Sequence, residues 1–199
     1  MYICIVHINR EIITENYKLN RSGGVFFFYA HFCFISLYLY IMACFHTKTF
    51  TKHDDYMTPK HVWEDISHLI PKDKVIWEAF YGEGSSGNHL RELGCKEVIH
   101  EDKDFFSYTP EYDICISNPP FSDCKNIIPR LKELNKPFIL IMPCSKIACS
   151  YMRNNFMNNQ LQIIIPRKRI HFIKLIDNKL IETNKCNFDC FYYCYKMNF

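Results

Sequence analysis

Residues 74–90 read KVIWEAFYGEGSSGNHL. From Lys74 to Phe80 the run suits a strand buried on both faces. YGEGSSG then reads as a turn, and SGNHLRELG as a short helix closed by Gly94. Gly82, Gly84 and Gly87 stand as G-x-G-x-x-G between strand and helix, and the acids Glu101 and Asp102 follow in the next strand, CKEVIHED. Such a loop lets backbone approach a ligand closely and supplies an acid for a ribose. The pattern is a dinucleotide fingerprint. An NAD-dependent oxidoreductase, or a turn that merely needs positive φ, would carry the same letters.

The flanks extend the alternation. Upstream, TPKHVWEDISHLIP predicts a helix from about Lys60 to Ile70. Thr58 is its cap, Pro59 sits in its first turn, and Val62, Ile66, Leu69 and Ile70 form its apolar stripe. Downstream, YDICIS is a strand, DCKNIIPRLKEL a helix interrupted at Pro129, and KPFILIMP an apolar strand covered on both faces. Residues 146–159 are read as helical. LQIIIP, KRIHFIKLI, KLIET and FDCFYYCYKM are strands, with Asp177–Asn178 as a hairpin turn. Strand and helix in alternation, then a hairpin, predict an α/β fold: a mostly parallel sheet with an antiparallel C-terminal edge or hairpin.

A chain of 199 residues defaults to one domain with a sizeable core. Its net charge of +3 is uneven: residues 51–121 hold 7 Lys/Arg against 14 Asp/Glu, and residues 122–199 hold 13 against 5. The basic half suits an anionic partner or a solvated face. The 11 cysteines are odd in number, irregular in spacing and without a CxxC pair. They indicate a reducing, cytoplasmic setting rather than a disulfide scaffold. Cys186, Cys190 and Cys194 recur every fourth residue, but in a strand-like run, and no metal site is expected there.

Residues 1–50 read as an extension ahead of a domain at 51–199. Within it, residues 25–45 carry no formally charged side chain and are long enough to span a bilayer. Arg10, Lys18 and Arg21 precede them, as in a signal anchor. The aromatic-rich composition equally suits an over-extended reading frame with Met42 as the working start. Membrane attachment is the minority alternative.

ICISNPPFS, residues 114–122, carries the discriminating chemistry. The two prolines hold Asn118 and Pro119 extended just past a strand end. An aromatic amine is a poor nucleophile because its lone pair is delocalised into the ring. Two fixed acceptors on its hydrogens, the Asn118 Oδ1 and the Pro119 carbonyl, would localise that pair, while Phe121 could stack on the base.

These residues resemble the S-adenosylmethionine-dependent DNA adenine-N6 methyltransferases. NPPF at 118–121 matches that family's catalytic motif. EAFYGEG at 78–84 matches its cofactor loop with Ala79 in place of proline, YMTP at 56–59 an upstream motif, and DFF at 104–106 the adenine segment. The likeness covers roughly residues 54–196. It implies a Rossmann-like methyltransferase fold with S-adenosyl-L-methionine as cofactor and DNA as partner, or RNA. Asn118, Pro119, Pro120 and Phe121 would be catalytic. Glu78, Gly82 and Gly84 would hold the methionine portion and Thr58 its carboxylate, with Tyr56 and Phe80 also at the cofactor. Glu101 or Asp102 would take the ribose hydroxyls, and Asp104 and Phe105 would line the adenine.

Two departures stand out. HEDKDFF runs together segments that the family separates by a helix and a strand, and there is no room for a target-recognition domain. The tail, through Arg167, Lys168, Arg169 and Lys174, would contact phosphate instead, or a separate specificity partner would do that work. The alternatives are methylation of RNA adenine or of a protein glutamine amide, and a non-catalytic binder with a degenerate methyltransferase fold.

Overall fold

A computed structural model describes residues 4–7, 56–157, 160–176, 179–182 and 188–199. The strands are β1 (Cys4–His7), β2 (Tyr56–Met57), β3 (Val75–Trp77), β4 (Glu97–Ile99), β5 (Ile114–Ser117), β6 (Phe138–Pro143), β7 (Leu161–Ile165), β8 (Ile173–Ile176), β9 (Lys179–Glu182) and β10 (Cys190–Tyr195). The helices are α1 (Lys60–Asp65), α2 (Ser85–Glu92), α3 (Cys124–Leu134) and α4 (Ser150–Asn155). The segment 25–45 lies outside the described residues. Among the described residues no helix is long and apolar enough to cross a membrane.

Seven strands form one sheet in the order β1-β7-β10-β6-β5-β3-β4. β4, β3, β5 and β6 pair in parallel. β10 runs antiparallel to both β6 and β7, and β1 antiparallel to β7. From β3 the chain moves out to β4, the sheet edge, and then returns to β5 on the other side of β3. This reversal leaves a crevice beyond the carboxyl ends of β3 and β5, where open α/β sheets bind ligands.

Alternation along the strands feeds two cores. Ile76, Ile116, Ile139, Ile141, Tyr192 and Cys194 face one side with Val62, Trp63, Ile66 and Leu90 from α1, α2 and their flanks. Trp77, Cys115, Phe138, Leu140, Phe191 and Tyr193 face the other, with Ile127, Ile128 and Leu131 of α3 and Met152 of α4. Tyr192 and Tyr193 bring hydroxyls into these cores, and both are satisfied. Tyr192 donates to the Val62 carbonyl at 2.6 Å and Tyr193 to the Pro143 carbonyl at 2.9 Å. Cys190 and Cys194 are packed as small apolar side chains; Cys186 lies outside the described residues.

The α/β class, the mostly parallel sheet and its antiparallel C-terminal part are as the sequence predicts. The hairpin is placed differently: β8 and β9 leave the main sheet and join β2 in a three-stranded ribbon, β2-β8-β9. All six β10 residues are buried, so that strand takes an interior position, paired on both edges, and the more polar hairpin is excluded. α1 is shorter than expected, but Ile66 and Ile70 remain buried in the turns that follow. α3 runs through Pro129. The carbonyl that proline deprives of a partner belongs to exposed Lys125, where water can serve it. Of the helix expected at 146–159, residues 146–157 hold the end of a 3-10 turn (Cys144–Ala148) and α4 rather than one helix, and 158–159 lie outside the described residues.

Candidate active site

The glycine turn opens the site. Gly82 and Gly84 have φ of 57° and 90°, in the left-handed region that glycine enters without steric cost. A Cβ on Gly82 would also stand 2.9 Å from the Met57 sulfur. Gly84 caps α2. Gly87 has a different role: a Cβ there would meet the His100 ring at 2.4 Å, so this glycine allows α2 to lie close against the end of β4.

Beyond the turn lies a cavity of about 300 Å³, at the carboxyl ends of β3, β4 and β5. Tyr56, Thr58, Glu78, Phe80, Gly82, Asp102, Phe105, Asn118 and Pro120 all line it. The upstream YMTP segment, the glycine turn, the DFF segment and the NPPF segment thus meet around one space. Its aromatic wall is Phe80 against Phe105 at 4.9 Å, with Phe105 stacked on Trp77 at 5.5 Å.

Asn118 is held by one end of its amide. Its Nδ2 donates to the Tyr56 carbonyl at 2.7 Å, so Oδ1 occupies the other end, buried and with no hydrogen-bond partner. A buried acceptor without a partner is costly in a folded protein; its natural complement is a donor on a ligand in the cavity. Thr58 Oγ1 is a second such atom, on a residue 3% exposed.

Several predicted residues are arranged otherwise. Phe121 is 1% exposed. Its ring is enclosed by Tyr56, stacked at 5.7 Å, and by the edges of Phe172 and Phe188. It therefore presents no face to the cavity, which Tyr56 lines beside Asn118. Pro119 is buried, and Pro120 reaches the wall. Glu101 turns to Lys103 at 3.2 Å, and of these two acids it is Asp102 that lies at the wall. Asp104 accepts from the Ser107 amide at 3.1 Å and stabilises its own turn, while Phe105 lines the cavity.

Glu78 is tied up within the protein. It accepts a hydrogen bond from the Ser117 hydroxyl, and its Oε2 lies 2.6 Å from His100 Nε2, both side chains being almost wholly buried. Burial pushes the Glu78 carboxyl above its ordinary range. Burial also opposes charge on His100, but the hydrogen bond and charge of Glu78 outweigh it and hold the imidazole above its usual value. Glu78 follows β3, His100 follows β4 and Ser117 ends β5, so the three side chains tie together the three strand ends beneath the cavity. His100 was not legible as a site residue; the third glycine, which makes room for it, was the available signal.

The basic residues divide. Arg167 and Lys168 are exposed beside a cleft of about 230 Å³ at the carboxyl end of β7. Arg169 is committed to Asp189 through two contacts, at 2.6 and 3.0 Å. Lys174 sits apart from them, with its ammonium 4.4 Å from the centre of the Tyr56 ring.

No family model matches the chain, and no curated protein matches it. Among solved structures it is similar to a candidate RNA methyltransferase from Pyrococcus horikoshii, with 17% identity, 78% of this chain and 96% of that one covered, and a TM-score of 0.47. It is similar to precorrin-6y C5,15-methyltransferase from Geobacter metallireducens, with 11% identity, 72% and 96% covered, and a TM-score of 0.41. A third is TrmN from Thermus thermophilus, with 13% identity, 68% and 40% covered, and a TM-score of 0.27. Strand order, two helical layers and a crevice at the reversal point together make this chain an α/β protein of the Rossmann-like class.

Proposed function

We propose that the chain is an S-adenosylmethionine-dependent methyltransferase that modifies the N6 amine of adenine in DNA. The carrying observation is Asn118: an amide fixed at its nitrogen end, with its oxygen buried and unpartnered at the wall of the cavity that the glycine turn shares.

The cavity residues fit the cofactor. Thr58 Oγ1 offers a buried donor for a carboxylate, Asp102 an acid for ribose hydroxyls, and Phe80 with Phe105 an apolar wall for an adenine ring. Gly82 and Gly84 keep the turn backbone open to it. When bound, S-adenosylmethionine supplies an electrophilic methyl group. The work of the chain is to make the acceptor amine nucleophilic. Asn118 Oδ1 would accept one amine hydrogen and the Pro119 carbonyl another, drawing the nitrogen toward pyramidal geometry and its lone pair out of the ring. The amide of Asn118 is already held in place, so its oxygen would strengthen its hold most as positive charge develops on nitrogen. The proton is released afterwards, so no base of lowered pKa is required. Because the target amine must reach Asn118 at the cavity wall, a duplex would deliver its base by extrusion, and a single strand directly.

Transfer of tritiated methyl to unmethylated DNA, with N6-methyladenine identified by mass spectrometry, tests this reading. Asn118→Ala is expected to lower transfer by about 10²–10³ while cofactor binding measured by calorimetry stays near wild type. Transfer by the variant at the wild-type rate would remove Asn118 from the chemistry. Transfer to RNA or to a glutamine peptide alone would change the substrate, and binding without any transfer would identify a non-catalytic binder.

A further inference from the structure

Phe105 lines the cavity from a segment, 101–109, that is otherwise exposed apart from half-buried Tyr108 and buried Phe105 itself. The segment's own hydrogen bonds are local. The Lys103 amide donates to the Glu101 carbonyl at 2.9 Å, and the Ser107 and Tyr108 amides donate to the Asp104 carbonyl at 3.2 and 3.0 Å. Such turns set the shape of a loop but not its place on the protein. Among the described residues, the hydrogen bonds that join 101–109 to the rest of the chain come from Arg130. Its Nε donates to the Phe105 carbonyl at 3.0 Å and its Nη2 to the Thr109 hydroxyl at 2.8 Å. The same guanidinium lies 5.4 Å from the centre of the Phe105 ring, within the reach of a cation–π contact. No carboxylate among the described residues pairs with Arg130, and Arg130 does not itself line the cavity.

We infer that Arg130 is a positioning residue for the cofactor's adenine ring: it pins Phe105 to α3, and so sets the aromatic wall before the cofactor arrives. The inference rests on the cofactor reading above. Arg130 lies in α3, the helix into which the NPPF turn leads. That helix is a firm anchor, since Ile127, Ile128 and Leu131 are each at most 1% exposed. A guanidinium carries its donors in a rigid planar fork, so one side chain holds two acceptors four residues apart in a fixed relation. An ammonium on a flexible stem does not. Without the fork, Phe105 keeps its ring neighbours Trp77 and Phe80, but its backbone is free to shift. The cofactor would then have to order the segment as it binds, and that ordering is subtracted from affinity. Arg130 thus couples the helix behind the catalytic turn to the wall of the cofactor site, and acts on the adenine through Phe105 alone.

The test reads calorimetric binding of S-adenosylhomocysteine to the full chain. Arg130→Ala should raise the dissociation constant about tenfold, and Arg130→Lys about threefold. Two further backgrounds separate positioning from a general loosening of the fold. With Phe105→Ala already present, Arg130→Ala should change affinity by less than about twofold, because the wall it sets is gone. With Thr58→Ala present instead, at the other part of the site, the loss should persist in full. Should Arg130→Ala fail to fold by urea denaturation, Arg130→Lys carries the same comparisons. Wild-type affinity in the Arg130 variants, an undiminished loss in the Phe105→Ala background, or a loss that vanishes with Thr58→Ala overturns the role of Arg130 and leaves the cofactor reading intact. If the wild-type chain does not bind S-adenosylhomocysteine, the cofactor reading fails and the positioning role with it.

Discussion

A carboxylate that is 1% exposed and in contact with both a hydroxyl and an imidazole behaves differently from one waiting for a ligand. Glu78 and His100 are both held above their ordinary values of 4.5 and 6.5. Each therefore keeps its proton more firmly in the folded chain than in the unfolded one. For each group the native state carries excess protons from its ordinary value up to its raised one, so stability from this pair falls as pH rises through those two windows. Denaturation midpoints are expected to decline from mildly acidic to mildly alkaline buffer. The double variant Glu78→Gln with His100→Asn should flatten that decline, and an equal decline in the variant would show that the titration arises elsewhere. At this scale the sequence was half legible. Asn118, Thr58 and Gly82 could be named because short motifs fix their backbone geometry. The pairing of Glu78 with His100 could not, because nothing local to either residue marks the other as its partner, and Phe121 was misjudged because a motif does not show which side of its turn is the core.

The strands and helices were readable because each carries its own period and its own stop signals, such as the glycine turn ahead of α2 and the uninterrupted apolar run of β6. Pairing partners were harder to read. A strand's period says which residues share a face, and says nothing about which strand lies beside it; hence β8 and β9 were assigned to the wrong sheet. The packing of α2 against β4 gives a prediction at this scale. Gly87→Ala leaves the helix propensity improved, yet its new methyl would lie 2.4 Å from the His100 ring, against a histidine already fixed by Glu78. Overpacking of that kind costs about 1–3 kcal/mol, which urea denaturation would register as a lower midpoint at constant slope. A variant as stable as wild type would mean that α2 can shift away from the sheet freely.

For the molecule as a whole, β10 makes the greatest demand. It is the latest strand in sequence, yet it lies between β6 and β7, and Phe191, Tyr192, Tyr193 and Cys194 are at most 1% exposed. A chain ended at residue 188 would leave two strand edges unpaired and both cores open. It is expected to lose cooperative unfolding and to accumulate in the insoluble fraction on expression. A soluble, cooperatively folding truncation would contradict that placement. The overall class was legible from the order of elements. The interior position of the final strand was not, since pairing across such sequence separation leaves its mark only in the total apolarity of the strand.

The amide of Asn118 has no intrinsic preference for which of its ends faces inward; turned by half a rotation, it would present hydrogens where the oxygen now stands. Its orientation is set by a carbonyl from the ribbon formed with β8, outside the principal sheet. Drift in that ribbon would silence the proposed chemistry while every letter of NPPF stayed in place, so the motif alone would not secure activity.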